Sequence, residues 1–163
     1  MNEIDLGAVR VVLTAVPTGA GSAATEVEIQ DLTSEFDALA EGFNKPAFVP
    51  AGLTFAECSV VRAPVRMMVA TYHDPKSRRG VTIAQTPIAS LKASEVKASV
   101  FAPGEDLEEV RLDGKMAARV IISSKSDWRG ARHSLVWVSG DNVYQLNGRG
   151  TTDSELVEIA ASV

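Results

Sequence analysis

The chain of 163 residues has a single cysteine, Cys58. One cysteine cannot form an intramolecular disulfide, and it cannot supply several thiolates to a zinc ion. A domain of this size buries about 70% of the surface that its unfolded chain would expose, so it does not need such cross-links. We therefore expect a fold that is stabilised by an ordinary hydrophobic core.

Positive charge is also scarce. The 16 Lys and Arg residues are outnumbered by 21 Asp and Glu residues, which gives a formal net charge of -5. Nucleic-acid binding needs a broad cationic face that replaces condensed counterions. The composition therefore argues against nucleic acid as a partner, and any basic contact surface must be local.

No apolar run has the character of a membrane span or a signal peptide. The stretch at residues 8–16 is interrupted by Arg10, is too short to cross a bilayer, and follows Glu3 and Asp5, where a signal peptide would carry positive charge. We interpret it as a strand. A membrane could then be reached only through an anchor missing from this chain, as in a fragment of a longer secreted or anchored protein.

Most of the remaining patterns predict strands and hairpins. Alternating or β-branched residues predict strands at 9–14, 25–30, 53–61, 65–72, 80–85, 109–112, 116–122, 133–137 and 143–146. The Asp113-Gly114 and Gly140-Asp141-Asn142 sequences favour tight hairpins. The segments 73–80 and 123–132 are predicted to be polar loops, and 17–24 a mobile linker. Residues 88–100 are expected to form a helix or an irregular crossover.

Two amphipathic helices are predicted as well. The first follows Thr33 or Ser34 as its N-cap, and its apolar residues at helical spacing are Phe36, Leu39, Ala40 and Phe43. The second begins with a capping box between Thr152 and Glu155, and its apolar stripe is Leu156, Ile159, Ala160 and Val163. We expect one α+β domain over residues 1–163, with a largely antiparallel twisted sheet. Amphipathic helices, including the C-terminal one, should pack on one face of it and leave no large internal pocket.

Few residues point to catalysis. Cys58 would need a base such as His73 or His133 beside it, and we interpret it as a buried strand residue. His73-Asp74 could be an acid–base pair, but Asp-Pro at the start of a loop is ordinary turn chemistry. His133-Ser134 has no nucleophile elbow and no second metal ligand. We therefore assign no catalytic residue, metal ligand or cofactor.

Two basic loops are the best candidates for an interaction surface. The cationic residues and the one aromatic residue in them are Lys76, Arg78, Arg79, Lys125, Trp128, Arg129 and Arg132. Solvated loops are the simpler interpretation, but Trp and Arg are common anchors at protein interfaces. The Asn147-Gly148-Arg149-Gly150 sequence could present backbone amides to an anion, although its spacing fits a loop ending at a helix cap better.

Seven short segments carry a resemblance to a known family. They are residues 48–55 (FVPAGLTF), Tyr72 with Asp74, residues 81–85 (VTIAQ), 110–114 (VRLDG), 135–137 (LVW), 144–146 (YQL) and 154–162 (SELVEIAAS). In this order they resemble the uncharacterised C-terminal domain of bacterial anti-sigma factors and of envelope lipoproteins related to lipoprotein-sorting proteins. The resemblance covers residues 45–163, while residues 1–44, with the N-terminal strands and helix, carry no part of it.

The resemblance implies a non-enzymatic domain that lies outside the cytoplasm and binds another protein. In anti-sigma proteins a separate zinc-binding segment holds the sigma factor, and this chain contains no such segment. We therefore expect an interaction or sensory domain of an anti-sigma or envelope-stress regulator. The first alternative is a carrier that holds a lipid or acyl chain between a curved sheet and the helices, and the second is an unrecognised hydrolase. An apolar cavity would favour the carrier, because a regulator should be packed to normal density.

Overall fold

The computed structural model describes residues 1–14, 28–63, 65–91, 93–94, 97–127 and 130–163, without the side chains of residues 93–94, 123–127 and 130–132. The strands in this part of the chain are β1 (Glu3–Asp5), β2 (Val9–Thr14), β3 (Glu28–Leu32), β4 (Thr54–Ala63), β5 (Met67–His73), β6 (Gly80–Pro87), β7 (Ala93–Ser94), β8 (Lys97–Pro103), β9 (Asp106–Leu112), β10 (Lys115–Asp127), β11 (Gly130–Ser139) and β12 (Asn142–Arg149). The helices are α1 (Glu35–Ala40) and α2 (Asp153–Ala161), and a 3-10 turn covers Ile88–Ser90.

Eight of these strands form one antiparallel sheet in the order β3-β4-β5-β6-β12-β11-β10-β9. Each pair of strands from β3 to β6, and each from β9 to β12, is also adjacent in sequence. The two halves meet where β6 pairs with β12, from Pro87 opposite Asn142 to Gly80 opposite Arg149. The sheet confirms the predicted antiparallel architecture, but strands dominate the fold more than the predicted α+β class implied.

A second, smaller sheet has the order β1-β2-β8-β7. Its central pair, β2 and β8, is parallel, with Val9 opposite Ala98 and Val11 opposite Val100. Residues 88–100, predicted as a helix or an irregular crossover, instead contain the 3-10 turn, β7 and the start of β8. The sequence predicted the strand β2 but neither this sheet nor its parallel pairing.

The eight-stranded sheet has two unlike faces. We call the face that carries α2 the inner face. Its core includes Trp137 and Tyr144, whose rings stack with centroids 5.4 Å apart, together with Leu156 and Ile159 of α2. These four side chains are buried, as the sequence predicted for the apolar stripe of the C-terminal helix.

The opposite, outer face is covered in only one half. The small sheet packs there on β9–β12, where Val120, Val136 and Val143 meet Val9 and Val11 in a second core. On β4–β6 the outer-facing side chains are less buried, and Val61, Met67 and Val69 remain partly exposed. The outer face of this half is therefore where the molecule can offer a large surface to a ligand or a partner.

The two helices differ in how well the sequence predicted them. α2 begins at Thr152 with the predicted capping box, in which Thr152 Oγ1 accepts from Glu155 N and Glu155 Oε1 accepts from Thr152 N. α1 begins at Ser34 as predicted, but of its predicted apolar stripe only Phe43, which follows the helix, is buried in the core. Phe36 is 78% exposed and Leu39 is 43% exposed, while Ala38 is the residue that α1 buries. Within the six-residue helix Ala38 is the one residue that joins the inner core, whereas α2 contributes Leu156, Ile159 and Ala160.

Most predicted strands and turns are confirmed, with shifted ends. Gly114 and Gly140 have φ of +75° and +59°, the left-handed backbone that the two predicted hairpins require. The strand predicted at 25–30 is β3, which continues to Leu32. The predicted polar loop at 123–132 is wrong, because β10 extends to Asp127 and β11 begins at Gly130. The predicted linker at 17–24 lies outside the described residues.

Candidate binding site: a cationic cleft on the outer face

The loop between β5 and β6 is held in a fixed shape by its first residue. The Asp74 carboxylate accepts hydrogen bonds from the Lys76 amide at 2.9 Å and from the Ser77 hydroxyl at 2.8 Å. The Asp74 amide donates to the Arg79 carbonyl across the loop at 2.8 Å. The hydrogen bond from the Lys76 amide, followed by that from Ser77, lowers the pKa of the Asp74 carboxyl. The carboxylate is thus ionised at neutral pH and engaged within its own loop.

Arg78 occupies an unusual backbone position in this loop. Its φ is +58°, and it is the one non-glycine residue with positive φ in the part of the chain that the structure describes. Residues other than Gly, Asn and Asp adopt this left-handed backbone conformation rarely and at a cost in free energy. The conformation places Arg78 on the border of a cleft between the loop and the outer face of the sheet.

The cleft has a volume of about 790 Å³. Two cross-strand rows of residues contribute to its lining. One row is His73, Gly80 and Arg149, and the other is Thr71, Thr82 and Asn147. Because side chains alternate between the two faces along each strand, residues two apart on β5 and β12 line the same side. The cleft therefore joins an arginine-rich end of the sheet to a floor of neutral polar side chains.

Three basic side chains at the cleft are exposed and unpaired. Arg78, Arg149 and His73 form no side-chain hydrogen bond or ion pair with any described residue. Arg79 differs, because its Nη2 lies 2.6 Å from Glu155 Oε2 and its Nε donates to the Gly150 carbonyl. The positive charge of Arg79 is thus compensated by α2, whereas the charge of Arg78 and Arg149 is available to a ligand.

The predicted interaction residues fall into three groups. Arg78 lines the cleft and Lys76 is exposed on the same loop, while Arg79 connects the loop to α2. The side chains of Lys125 and Arg132, and all of Trp128 and Arg129, lie outside the described residues, so their role in an interaction surface stays a prediction, although Lys125 lies in β10 and Arg132 in β11 and not in a loop. The predicted interaction surface did not include Arg149, which was named only as part of the 147–150 segment and which lines the same cleft as Arg78. The pairing of β6 with β12 brings these two arginines together, and no local sequence pattern indicates that pairing.

A second exposed region lies on the same outer face. Ile29 of β3 pairs with Val61, Val61 pairs with Met67, and Phe101 of β8 lines a cleft of about 320 Å³ with Met67 and Val65. Three large apolar residues of this region have a high exposed fraction, which is 56% for Ile29, 37% for Val65 and 64% for Phe101. We call Ile29, Val61, Val65, Met67 and Phe101 the outer apolar patch.

The candidate nucleophile Cys58 and the candidate base His73 lie on opposite faces of the sheet. Cys58 is fully buried on the inner side of β4, and this burial raises the pKa of its thiol. His73 instead lines the cleft on the outer side. His133 Nδ1 lies 3.7 Å from Asp153 Oδ1, but the neighbouring Ser134 hydroxyl is buried and accepts from Gln145. In the described residues no group of three or more His, Cys, Asp or Glu side chains is placed to hold a metal ion.

The chain matches no protein-family model, no curated protein and no solved structure. The resemblance to the C-terminal domain of anti-sigma factors therefore stays a prediction. Neither helix in the described part of the chain has the length and apolar content needed to cross a membrane.

Proposed function

We propose that this chain is a non-enzymatic interaction domain of an anti-sigma or envelope-stress regulator that acts outside the cytoplasm. In this proposal the outer apolar patch is the surface that binds a partner protein. The observation that carries it is the exposure of Ile29 and Val65 on the half of the large sheet that the small sheet leaves open, together with that of Phe101 on the adjoining β8 of the small sheet. The extracytoplasmic setting and the regulatory context rest on the seven sequence segments that resemble the anti-sigma domain.

The physical argument starts from the cost of exposed apolar surface. Single exposed apolar residues are common, but contiguous apolar surface on a monomer usually marks an interaction site. The five residues of the patch come from β3, β4, β5, β8 and the β4–β5 turn, so the tertiary fold assembles the patch. A partner that covered it would remove these side chains from water, and the unpaired Arg78 and Arg149 on the same face would attract an acidic partner at long range.

The proposal can be tested by site-specific photo-crosslinking in the native host cell. A benzophenone amino acid placed at Phe101 should form an adduct with one partner protein. The matched control is the same amino acid at Phe36, which is also highly exposed but lies on α1. A substitution Val65→Asp in the crosslinking chain should abolish the adduct at position 101.

An adduct of equal yield at positions 36 and 101 would contradict the proposed surface, and so would the absence of any adduct at position 101. Fractionation of the same cells tests the location. Recovery of the adduct from the cell envelope supports the extracytoplasmic setting, and its recovery with cytoplasmic proteins alone refutes it.

A hydrophobic-ligand carrier is the second candidate, and one observation favours it. The 320 Å³ cleft beside Phe101 has apolar walls that include Leu91, Val100 and Val143. A carrier of the kind expected from the sequence would hold its ligand between the sheet and the helices, where Trp137 and Ile159 are instead fully buried. Native mass spectrometry of the purified protein distinguishes the two functions, because a carrier should retain a lipid or acyl chain and an interaction domain should not.

A further inference from the structure

We propose that the cationic cleft is a binding site for a ligand that carries a phosphate-type oxyanion. This site is separate from the outer apolar patch and adds a small-ligand activity to the proposed protein interaction. The three side chains that would hold the anion are Arg78, Arg149 and His73.

The first part of the argument is uncompensated charge. The protein is acidic overall, with a net charge of -5, yet two arginines and a histidine border one cleft without a partner in the described chain. Arginine offers a planar fork of N–H donors that matches phosphate oxygens in pairs, and such charge-assisted hydrogen bonds are about twice as strong as neutral ones. Arg78 approaches from the loop and Arg149 from the end of β12, so an anion between them could bind to both.

The second part concerns the carboxylates near the cleft. The Asp74 carboxylate accepts hydrogen bonds from Lys76 N and Ser77 Oγ, and the Glu155 carboxylate accepts from Arg79 and from Thr152 N. Both groups are therefore occupied by partners other than Arg78 and Arg149. Glu57 pairs with Thr71 one strand away from the cleft and does not line it. Asp74 keeps its negative charge in the lining because both of its donors are neutral, but it forms no ion pair with Arg78 or Arg149. With Arg79 paired to Glu155, the described lining therefore carries two unpaired arginines against one carboxylate.

The third part concerns the rest of the ligand. Thr71 and Thr82 face each other across β5 and β6, and Asn147 continues the row on β12. Two hydroxyls and one side-chain amide provide donors and acceptors for a polar moiety attached to the anion. A volume of about 790 Å³ lies within the usual range of about 300–1,000 Å³ for small-molecule sites.

The fourth part is the fixed geometry of the loop. Asp74 closes the loop on itself, and the ion pair between Arg79 and Glu155 attaches it to α2. The left-handed backbone at Arg78 is a strained conformation, and such strain is concentrated at ligand-binding and catalytic positions. A loop held in this way loses little conformational entropy when a ligand binds, which favours affinity.

The test uses pyrophosphate as the probe, because it carries the proposed oxyanion and no apolar group. The purified full chain is titrated by isothermal calorimetry at low salt, together with the variants Arg78→Gln, Arg149→Gln and the double variant. The matched control is Arg111→Gln, which removes an exposed arginine of β9 outside the cleft. Thermal melts of all variants establish that they remain folded.

We expect saturable binding by the natural chain and a loss of affinity of about tenfold or more for each single cleft variant. The double variant should not bind measurably, and Arg111→Gln should bind as the natural chain does. The inference is overturned by the absence of saturable binding to the natural chain. Undiminished binding by the double variant, or an equal loss in Arg111→Gln, overturns it as well.

Two sources could supply such an oxyanion, and a second titration separates them. Vesicles of phosphatidylglycerol are compared with vesicles of phosphatidylcholine in a sedimentation assay. Competition between pyrophosphate and phosphatidylglycerol vesicles assigns the site to a lipid headgroup, whereas binding of pyrophosphate without vesicle binding assigns it to a soluble phosphorylated compound. Neither outcome depends on Phe101, so failure of this inference and failure of the proposed protein interaction give different results.

Discussion

Cys58 lies on the inner face of β4, where its side chain is fully buried and its thiol pKa is raised by that burial. Alkylation requires the thiolate and access to the sulfur, and both are suppressed here. We expect a mild alkylating reagent to modify Cys58 in the folded protein only at the rate at which the chain opens. The measurement is the reaction rate in increasing urea, which should rise with the unfolded fraction. A fast stoichiometric reaction in buffer alone would contradict this.

At the scale of residues, the sequence showed which side chains could be buried or paired, but not which of them face the core. Phe36 and Leu39 have helical spacing, but a helix of only six residues buries little, and the small side chain of Ala38 faces the core instead. Arg78 and Arg79 are adjacent in one basic loop and cannot be distinguished by sequence. Their difference arises because Arg79 reaches Glu155, a residue 76 positions away. Long-range partners of this kind are invisible to local patterns.

Leu156 of α2 and Phe36 of α1 allow a buried apolar residue to be compared with an exposed one. Leu156 is buried against the core that contains Trp137, so Leu156→Ala should lower the free energy of unfolding by about 2–5 kcal/mol. The matched control is Phe36→Ala on α1, which should change the free energy of unfolding by about 0.5 kcal/mol or less because the Phe36 side chain is already in water. Urea denaturation of both variants measures the two values. An unchanged midpoint for Leu156→Ala would show that α2 is not docked on the sheet.

At the scale of elements, the sequence succeeded where a local chemical rule applies. The capping box of α2 involves residues three apart, and the hairpins at Gly114 and Gly140 need only a residue that tolerates positive φ. The polar segment at 123–132 was predicted as a loop because it lacks apolar alternation. β10 and β11 nevertheless continue through it, since backbone pairing from Ser123 opposite Arg132 to Asp127 opposite Gly130 does not require apolar side chains.

At the scale of the whole molecule, the small sheet is the feature that the sequence least revealed. Its central pair joins Val9 of β2 to Ala98 of β8, and all four strands from β3 to β6 lie between these two strands in the sequence. Parallel pairing has no hairpin turn to mark it, and a strand pattern does not state which strand is its neighbour. The same limit applies to the cleft, because the pairing of β6 with β12 is what places Arg149 on the same cleft as Arg78.

The strand β11 connects the two cores, and this leads to a prediction about cooperativity. Leu135 and Val136 are consecutive and fully buried, but Leu135 belongs to the inner core and Val136 to the core beneath the small sheet. Leu135→Ala should cost about 2–5 kcal/mol, and Val136→Ala about 2 kcal/mol from about 0.8 kcal/mol per buried CH₂ plus the cavity left behind. Because one strand carries both side chains, we expect one cooperative unfolding transition, and each variant should lower its free energy of unfolding.

Hydrogen exchange followed by mass spectrometry tests this coupling at the level of peptides. In Val136→Ala, the most protected amides of β2 and β8 and those of α2 should all exchange faster by a similar factor, since global unfolding exposes them together. The same pattern is expected for Leu135→Ala, with a larger factor. If Val136→Ala instead accelerated exchange in β2 and β8 while α2 kept its full protection, the small sheet would be an independent folding unit. The open half of the outer face would then not be bounded by a rigid edge at Phe101, and the outer apolar patch would change shape whenever the small sheet opened.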